Sequence, residues 1–281
     1  MNDKVTDPVG NVVGVDAPTD ERERGIGHLV ESATGARLVH RPALTFKVRR
    51  RSLSPARQAQ FDEWIQRWSI PLEGDVLDRA AVFDQSPGAA RPLVLDIGFG
   101  HGESTIRMAH AQPEFDVIGV EVHDPGVMTV LDAIENDPLP NVRVVHGDLL
   151  RFLPRLGPAS IAIVRIFFPD PWKKKRQHHR RLVRSDVVTA LVDRLEVGGE
   201  LQLATDIVDY AESMQAVCEA EPRVVGGVVA RPDARPLTRF ERRGLDEGRT
   251  IVDLRYTRIE PDQEAIHPTT VGRRRSPDTA D

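Results

Sequence analysis

Apolar residues along the chain follow two rhythms: short continuous runs, and longer stretches where they recur every three or four positions. A stretch of the second kind opens at Ser54-Pro55, a capping side chain followed by the residue best suited to a first helical position. It carries Phe61, Trp64, Ile65 and Trp68 on one face, where they read as core. Runs at 92–97, 115–120, 142–146, 161–168, 200–204, 224–230 and 250–257 read as seven strands, the fourth interrupted by Arg165. Helical spacing occupies 103–111, 125–136, 187–195 and 208–220, the third of these closed by Gly198-Gly199. The alternation predicts an α/β fold: a mostly parallel seven-stranded sheet with helices on both faces. Ligands of such sheets sit beyond the carboxyl ends of the strands, so the chemistry is expected just after each run.

Outside this pattern the sequence changes character. Residues 1–36 are polar and acidic and read as a disordered tail, 37–259 as one domain, and 260–281 as a second disordered tail. A hydrophobic fraction of 40% supports a buried core, and no apolar run is long enough to span a bilayer. The first residues, Met1-Asn2-Asp3-Lys4, lead into no apolar stretch of the signal-peptide kind. The single cysteine, Cys218, cannot form an internal disulfide, and no Cys/His set has metal spacing, so a reduced, cytoplasmic setting without a metal is expected. Nothing in the pattern sets an oligomeric state.

The net charge of −5 conceals a segregation. Seven acids against three bases fall within 1–36. Residues 37–57 then carry seven bases and no acid, and residues 173–184 again carry seven bases and no acid, with His178 and His179 among them. Such blocks are either a solvated basic surface or the footprint of a phosphate backbone.

The first strand runs into Asp96-Ile97-Gly98-Phe99-Gly100-His101-Gly102, where three glycines let the backbone turn and approach a ligand. A dinucleotide fingerprint would place a third glycine at Glu103, and a P-loop would need a Gly-Lys-Ser/Thr that is absent. The second strand ends in Glu121, placed to accept from ribose hydroxyls, and the third leads to Asp148, placed to accept from an adenine amine. Three acids at consecutive strand ends suit a cofactor bearing a sulfonium, an ammonium, a ribose and an adenine. They suit a pyrophosphate poorly. S-adenosylmethionine (SAM) is therefore favoured over a nicotinamide.

After the fourth strand comes Phe167-Phe168-Pro169-Asp170-Pro171-Trp172-Lys173-Lys174. Two prolines hold Asp170 on a stiff, extended segment beside an indole and several cations, a place for a polar planar group attached to phosphates. Trp172 reads equally as a base platform or a structural anchor.

The segment 167–181 resembles the signature of the tRNA (guanine-N7-)-methyltransferase family, with its FFPDPW core and basic sequel. The glycine segment 96–102, then Gly119-Val120-Glu121-Val122-His123-Asp124-Pro125-Gly126, then Ala204-Thr205-Asp206 and Thr238-Arg239-Phe240-Glu241-Arg242-Arg243-Gly244 are similar to its other motifs, in family order over residues 44–258. Asp96 stands where many members carry Glu, and Lys173 where a histidine is common. The resemblance implies a Rossmann-like SAM-dependent fold, with cofactor contacts at Asp96, Glu121, Asp148 and Asp170 beside the loop glycines Gly98, Gly100 and Gly102. It implies substrate contacts at Lys174, Asp206, Thr238, Arg239, Phe240 and Glu241, Asp170 as catalytic residue, and guanine 46 of the tRNA variable loop as target.

Guanine N7 has a lone pair and no proton, so it can attack the sulfonium methyl in line without a general base. Asp170 is then expected to orient the base and stabilise the cationic product, with Asp206 and Glu241 sharing recognition of the guanine donors. Three alternatives stay open on the residues alone: a SAM enzyme for a small molecule or protein, an inactive tRNA-binding module, and a nicotinamide dehydrogenase.

Overall fold

The computed structural model describes residues 28–31, 37–40 and 53–260, apart from positions 87, 89 and 138. The chain divides into two units, Met1–Leu44 and Thr45–Asp281. In the first, β1 (His28–Glu31) pairs antiparallel with β2 (Arg37–His40), across the boundary at residue 36 that composition suggests. The rest of the acidic N-terminal stretch, the bases from Arg41 to Arg51 and everything beyond residue 260 lie outside the described residues.

The second unit opens with α1 (Pro55–Trp68), whose Ser54 Oγ accepts from the Arg57 N–H at 3.4 Å. It is pinned to α4 (Asp124–Asn136) by Arg67–Glu135 at 2.5 Å and by Trp68 Nε1 donating to Glu135 at 2.7 Å. The short α2 (Arg79–Val82) precedes β3 (Leu93–Ile97), α3 (Glu103–Ala111), β4 (Asp116–Glu121), α4 and β5 (Val142–His146). Then follow α5 (Leu149–Phe152), β6 (Ile161–Phe167), α6 (Ser185–Val192), β7 (Leu195–Thr205), α7 (Val208–Glu219), β8 (Val224–Val229), α8 (Arg239–Asp246) and β9 (Val252–Arg258).

The sheet has seven strands in the order β5-β4-β3-β6-β7-β9-β8. All pairings up to β7 are parallel, while β9 runs antiparallel to both its neighbours. Leu93, Leu95 and Ile97 face one layer with α5, α6 and α7; Val94 faces the other with α1, α3 and α4. A strand buried along its whole length, as β3 is, exists only with both faces covered. Strand order reverses between β3 and β6, which opens a crevice at their carboxyl ends.

Most boundaries shift from the sequence expectation by one or two residues, and one shifts further. The helix expected over 187–195 ends at Val192, and Leu195 already begins β7. Gly198-Gly199 therefore sit inside a strand, not at a helix terminus. Gly198 has φ +83°, and a Cβ on Gly199 would lie 2.8 Å from the Glu196 carbonyl oxygen. The pair permits an irregularity in β7, whose register with β6 shifts between Ile161 and Ile163.

Candidate functional site

The turn from β3 to α3 is built on left-handed backbone: Gly98, Gly100 and Gly102 have φ of +70°, +63° and +81°. Close packing adds a second constraint at Gly102, where a Cβ would meet Val130 Cγ2 at 2.4 Å. The first turn of α4 presses on the same loop through Gly126, whose missing Cβ makes room for the Gly100 carbonyl. Glu121, ending β4, fixes the loop from behind. Its carboxylate accepts from the backbone N–H of Gly100 at 2.7 Å, Val122 at 2.6 Å and His123 at 2.9 Å. The acid expected to hold ribose hydroxyls is thus also the clamp that shapes the glycine loop.

Asp96, one residue before the end of β3, is buried, and its Oδ2 accepts from Thr105 Oγ1 at 2.7 Å. Burial pushes its carboxyl above the usual range, opposed by Arg165 and by the Thr105 hydroxyl. Arg165 is its in-register neighbour on β6, which explains the one charge in that apolar run. Asp148 caps α5, Oδ1 accepting from the Leu150 N–H at 2.9 Å, and burial raises its carboxyl also.

The segment after β6 is strained at both ends: Phe168 has φ +53° and Trp172 φ +42°, in the region that favours glycine. Half-buried Asp170 lies between them. Trp172 is only 5% exposed and is covered by the Arg180 guanidinium, 3.8 Å from the ring centroid. It is a structural anchor, not a base platform. Arg181 is buried, donates to the Pro171 carbonyl at 3.1 Å, pairs with Asp209 and stacks on Tyr210. Arg184 pairs with Asp186 at 2.7 Å. Several of the block's bases therefore hold the loop; Lys173, Lys174, Lys175 and Arg176 are the exposed run.

The Thr238–Glu241 motif forms the start of α8. Thr238 caps it, Oγ1 accepting from the Glu241 N–H at 3.0 Å, and Arg239 reaches Glu103 of α3 at 2.6 Å. Phe240 is 40% exposed, with its ring centroid 6.3 Å from that of His101. Glu241 departs from expectation. It is fully buried, accepting from Arg231 at 2.7 Å and from Arg235 at 2.7 and 2.9 Å. Burial alone would raise its carboxyl, but these hydrogen bonds outweigh it and hold it below the glutamate range. A carboxylate so occupied does not face a guanine. Asp206, after β7, pairs with Arg249 at 2.7 Å and packs on Gly244.

The "Putative methyltransferase" family model matches residues 90–254. The tRNA (guanine-N(7)-)-methyltransferase of Streptomyces coelicolor is 42% identical over 229 residues, 76% of this chain and 83% of that protein. The enzyme of that name from Thiobacillus denitrificans is 46% identical over 196 residues, covering 68% and 85%. The chain belongs to the tRNA (guanine-N7-)-methyltransferase family. Among solved structures, the antibiotic-resistance methyltransferase Kmr aligns with a TM-score of 0.47 at 18% identity, over 67% of this chain and 96% of that one; the fold assignment rests on the sheet order itself.

In this methyltransferase, one cleft collects the glycine loop, Asp96, Thr105, Phe167, Phe168, Thr238, Arg239 and Phe240. Asp96 and the three glycines, expected at the cofactor, line this cleft together with Thr238, Arg239 and Phe240, expected at the substrate. Glu121, Asp148, Asp170, Lys174, Asp206 and Glu241 do not line that cleft. Thr105, Phe167 and Phe168 were missed as lining residues, and Arg231 and Arg235 as partners of Glu241. The signal for Thr105 was available: it lies in the first turn of α3, three residues after Gly102. Among the described residues no helix is long and apolar enough to cross a membrane, and no group of three His, Cys, Asp or Glu could hold a metal ion.

Proposed function

We propose that this methyltransferase carries the methyl group of SAM to N7 of guanine 46 in the variable loop of cytoplasmic tRNA. One observation carries the reading: the strained segment bearing Asp170 joins the glycine-loop cleft, through Phe167 and Phe168, to the exposed run Lys173, Lys174, Lys175 and Arg176. A cofactor cleft and a phosphate-binding surface thus share one loop, as transfer to an RNA base requires.

The cleft's chemistry fits SAM. Carboxylates outnumber cations near the glycine loop, and the cleft's one arginine, Arg239, is already paired with Glu103. This suits a sulfonium and an ammonium and would repel a pyrophosphate. Asp96, Gly98, Gly100 and Gly102, which line the cleft, are assigned to hold it, together with Glu121, Asp148 and Asp170 from outside that lining. When bound, SAM supplies an electrophilic methyl group.

No residue has to remove a proton, because guanine N7 carries none. Asp170 orients the base through its N–H groups and balances the positive charge that the purine gains. Phe240, open on the cleft, takes the stacking role that buried Trp172 cannot fill. Lys174 and its neighbours bind phosphates, while Thr238, Arg239 and Asp206 border the base. Methyl transfer from labelled SAM to unmodified bulk tRNA, followed by nucleoside analysis, tests the proposal. Label in 7-methylguanosine is the expected result; label elsewhere, or none, refutes it.

A further inference from the structure

Two non-glycine residues with positive φ within one loop need surrounding contacts that over-determine them. On the Trp172 side the contacts are Arg180 and Arg181. On the Phe168 side the backbone N–H donates to the Ala204 carbonyl at 2.8 Å, and one side chain covers both rings: Arg235 lies 5.6 Å from the centroid of Phe167 and 5.5 Å from that of Phe168. Arg235 is 2% exposed. Its guanidinium is fixed by a fork to Glu241 at 2.7 and 2.9 Å and by Asp253 of β9 at 2.8 and 3.0 Å. Arg231 completes the set, bonded to Glu241 and, at 2.6 Å, to the Arg235 carbonyl.

This arrangement joins parts that are far apart in sequence. Glu241 belongs to α8, which presents Thr238 and Phe240 to the cleft; Asp253 is in the sheet; Phe168 lies two residues before Asp170. A planar guanidinium can bond two carboxylates in its plane while a ring packs on its face, and an ammonium cannot do both.

Resting on the proposed methyl transfer, we propose that Arg235 is a positioning residue: it locks Phe168 in its left-handed conformation and so sets the Asp170 carboxylate relative to the base presented beside α8. It touches neither cofactor nor substrate. Misplacement of the carboxylate by about 1 Å is enough for a rate loss of roughly a hundredfold.

The test uses Arg235→Lys, Phe168→Leu and the double variant in the full chain, with two readouts. The first is single-turnover methyl transfer at saturating SAM and tRNA, with SAM affinity measured alongside. Arg235→Lys is expected to slow transfer by about ten- to a hundredfold with SAM affinity unchanged, and the double variant to be no slower than the worse single one. Additive losses, a wild-type rate, or a loss that follows SAM affinity overturn the proposal. The second readout needs no activity: native-state trypsin cleavage at Lys173, Lys174, Lys175 and Arg176, located by mass. Arg235→Lys is expected to speed it by about tenfold through local opening of the loop. Should Arg235→Lys not fold, Phe168→Leu alone must show the same acceleration. An unchanged cleavage rate overturns the positioning role even in an enzyme inactive on tRNA, whereas a wild-type chain that makes no 7-methylguanosine refutes only the proposed function.

Discussion

Gly126→Ala puts a methyl group where the structure has a carbonyl. The new Cβ would lie 1.7 Å from the Gly100 oxygen and 2.9 Å from its carbonyl carbon. Non-bonded heavy atoms settle at about 3.5 Å, so roughly 1.8 Å of separation must be found. Helix α4 is anchored by Val127, Val130 and Leu131, all at 0% exposure, so the glycine loop is the part that yields. Alanine favours a helix by up to about 1 kcal/mol over glycine. Overpacking of this kind costs about 1–3 kcal/mol or more. A net loss near 2 kcal/mol corresponds to a fall of about 4–8 °C in Tm for a domain of this size. The displaced loop should weaken SAM binding by at least about tenfold, roughly one hydrogen bond to a charged or oriented group. Titration calorimetry with SAM and a thermal melt check both effects. Gly227→Ala is the control, since its Cβ would meet nothing within 4 Å. A Gly126→Ala protein with wild-type SAM affinity and an unchanged melt would show that the two glycines are not a steric couple.

Asp170→Asn should abolish turnover even at saturating SAM, with tRNA binding retained; unchanged turnover sinks the electrostatic role. Replacing Lys173, Lys174, Lys175 and Arg176 together with Gln should weaken tRNA binding and flatten the plot of log affinity against log salt by up to about 3.6, counting 0.7–0.9 per phosphate contact; an unaltered slope means these bases touch no phosphate. Glu241 is held below its ordinary value of 4.5, so its contribution is present above that value and lost as pH falls toward the folded one. Glu241→Gln should lower Tm at neutral pH, by about 3–5 kcal/mol of stability, and flatten the acid limb below pH 4.5; parallel Tm–pH curves for the two proteins count against the pairing. Burial pushes the Cys218 thiol up to about 12, so a disulfide reagent at pH 8 should label it only after denaturant is added.

The strand–turn–helix units were legible because apolar runs and glycines punctuate them. Helix α3 follows the reading residue for residue, and β5 does likewise. Gly198-Gly199 misled because a glycine pair after a helical pattern looks the same whether it ends the helix or lets a strand bend; the carbonyls that decide, on Glu196 and Ala162, are set by tertiary packing. Helix α8 went unassigned although Thr238 and Glu241 have capping-box spacing, because Arg239, Glu241, Arg242 and Arg243 give it no apolar stripe. The same charges concealed the fate of Glu241. A carboxylate in a polar segment reads as exposed, and the partners that bury it, Arg231 and Arg235, lie in the loop before the helix.

The position of β9 bears on how the chain reaches this state. It is the last strand of the sheet in sequence, yet it lies inside, between β7 and β8. Until residues 252–258 have been synthesised, β8 has no partner and the Asp253 anchor of Arg235 does not exist. The parallel half from β3 to β7 precedes β9 in the chain, so the pairing that supplies the Asp253 anchor can close only after that half has emerged. Maturation of the site thus coincides with completion of the sheet, so a chain cut short before β9 would offer a folded glycine loop with no organised surface for the base.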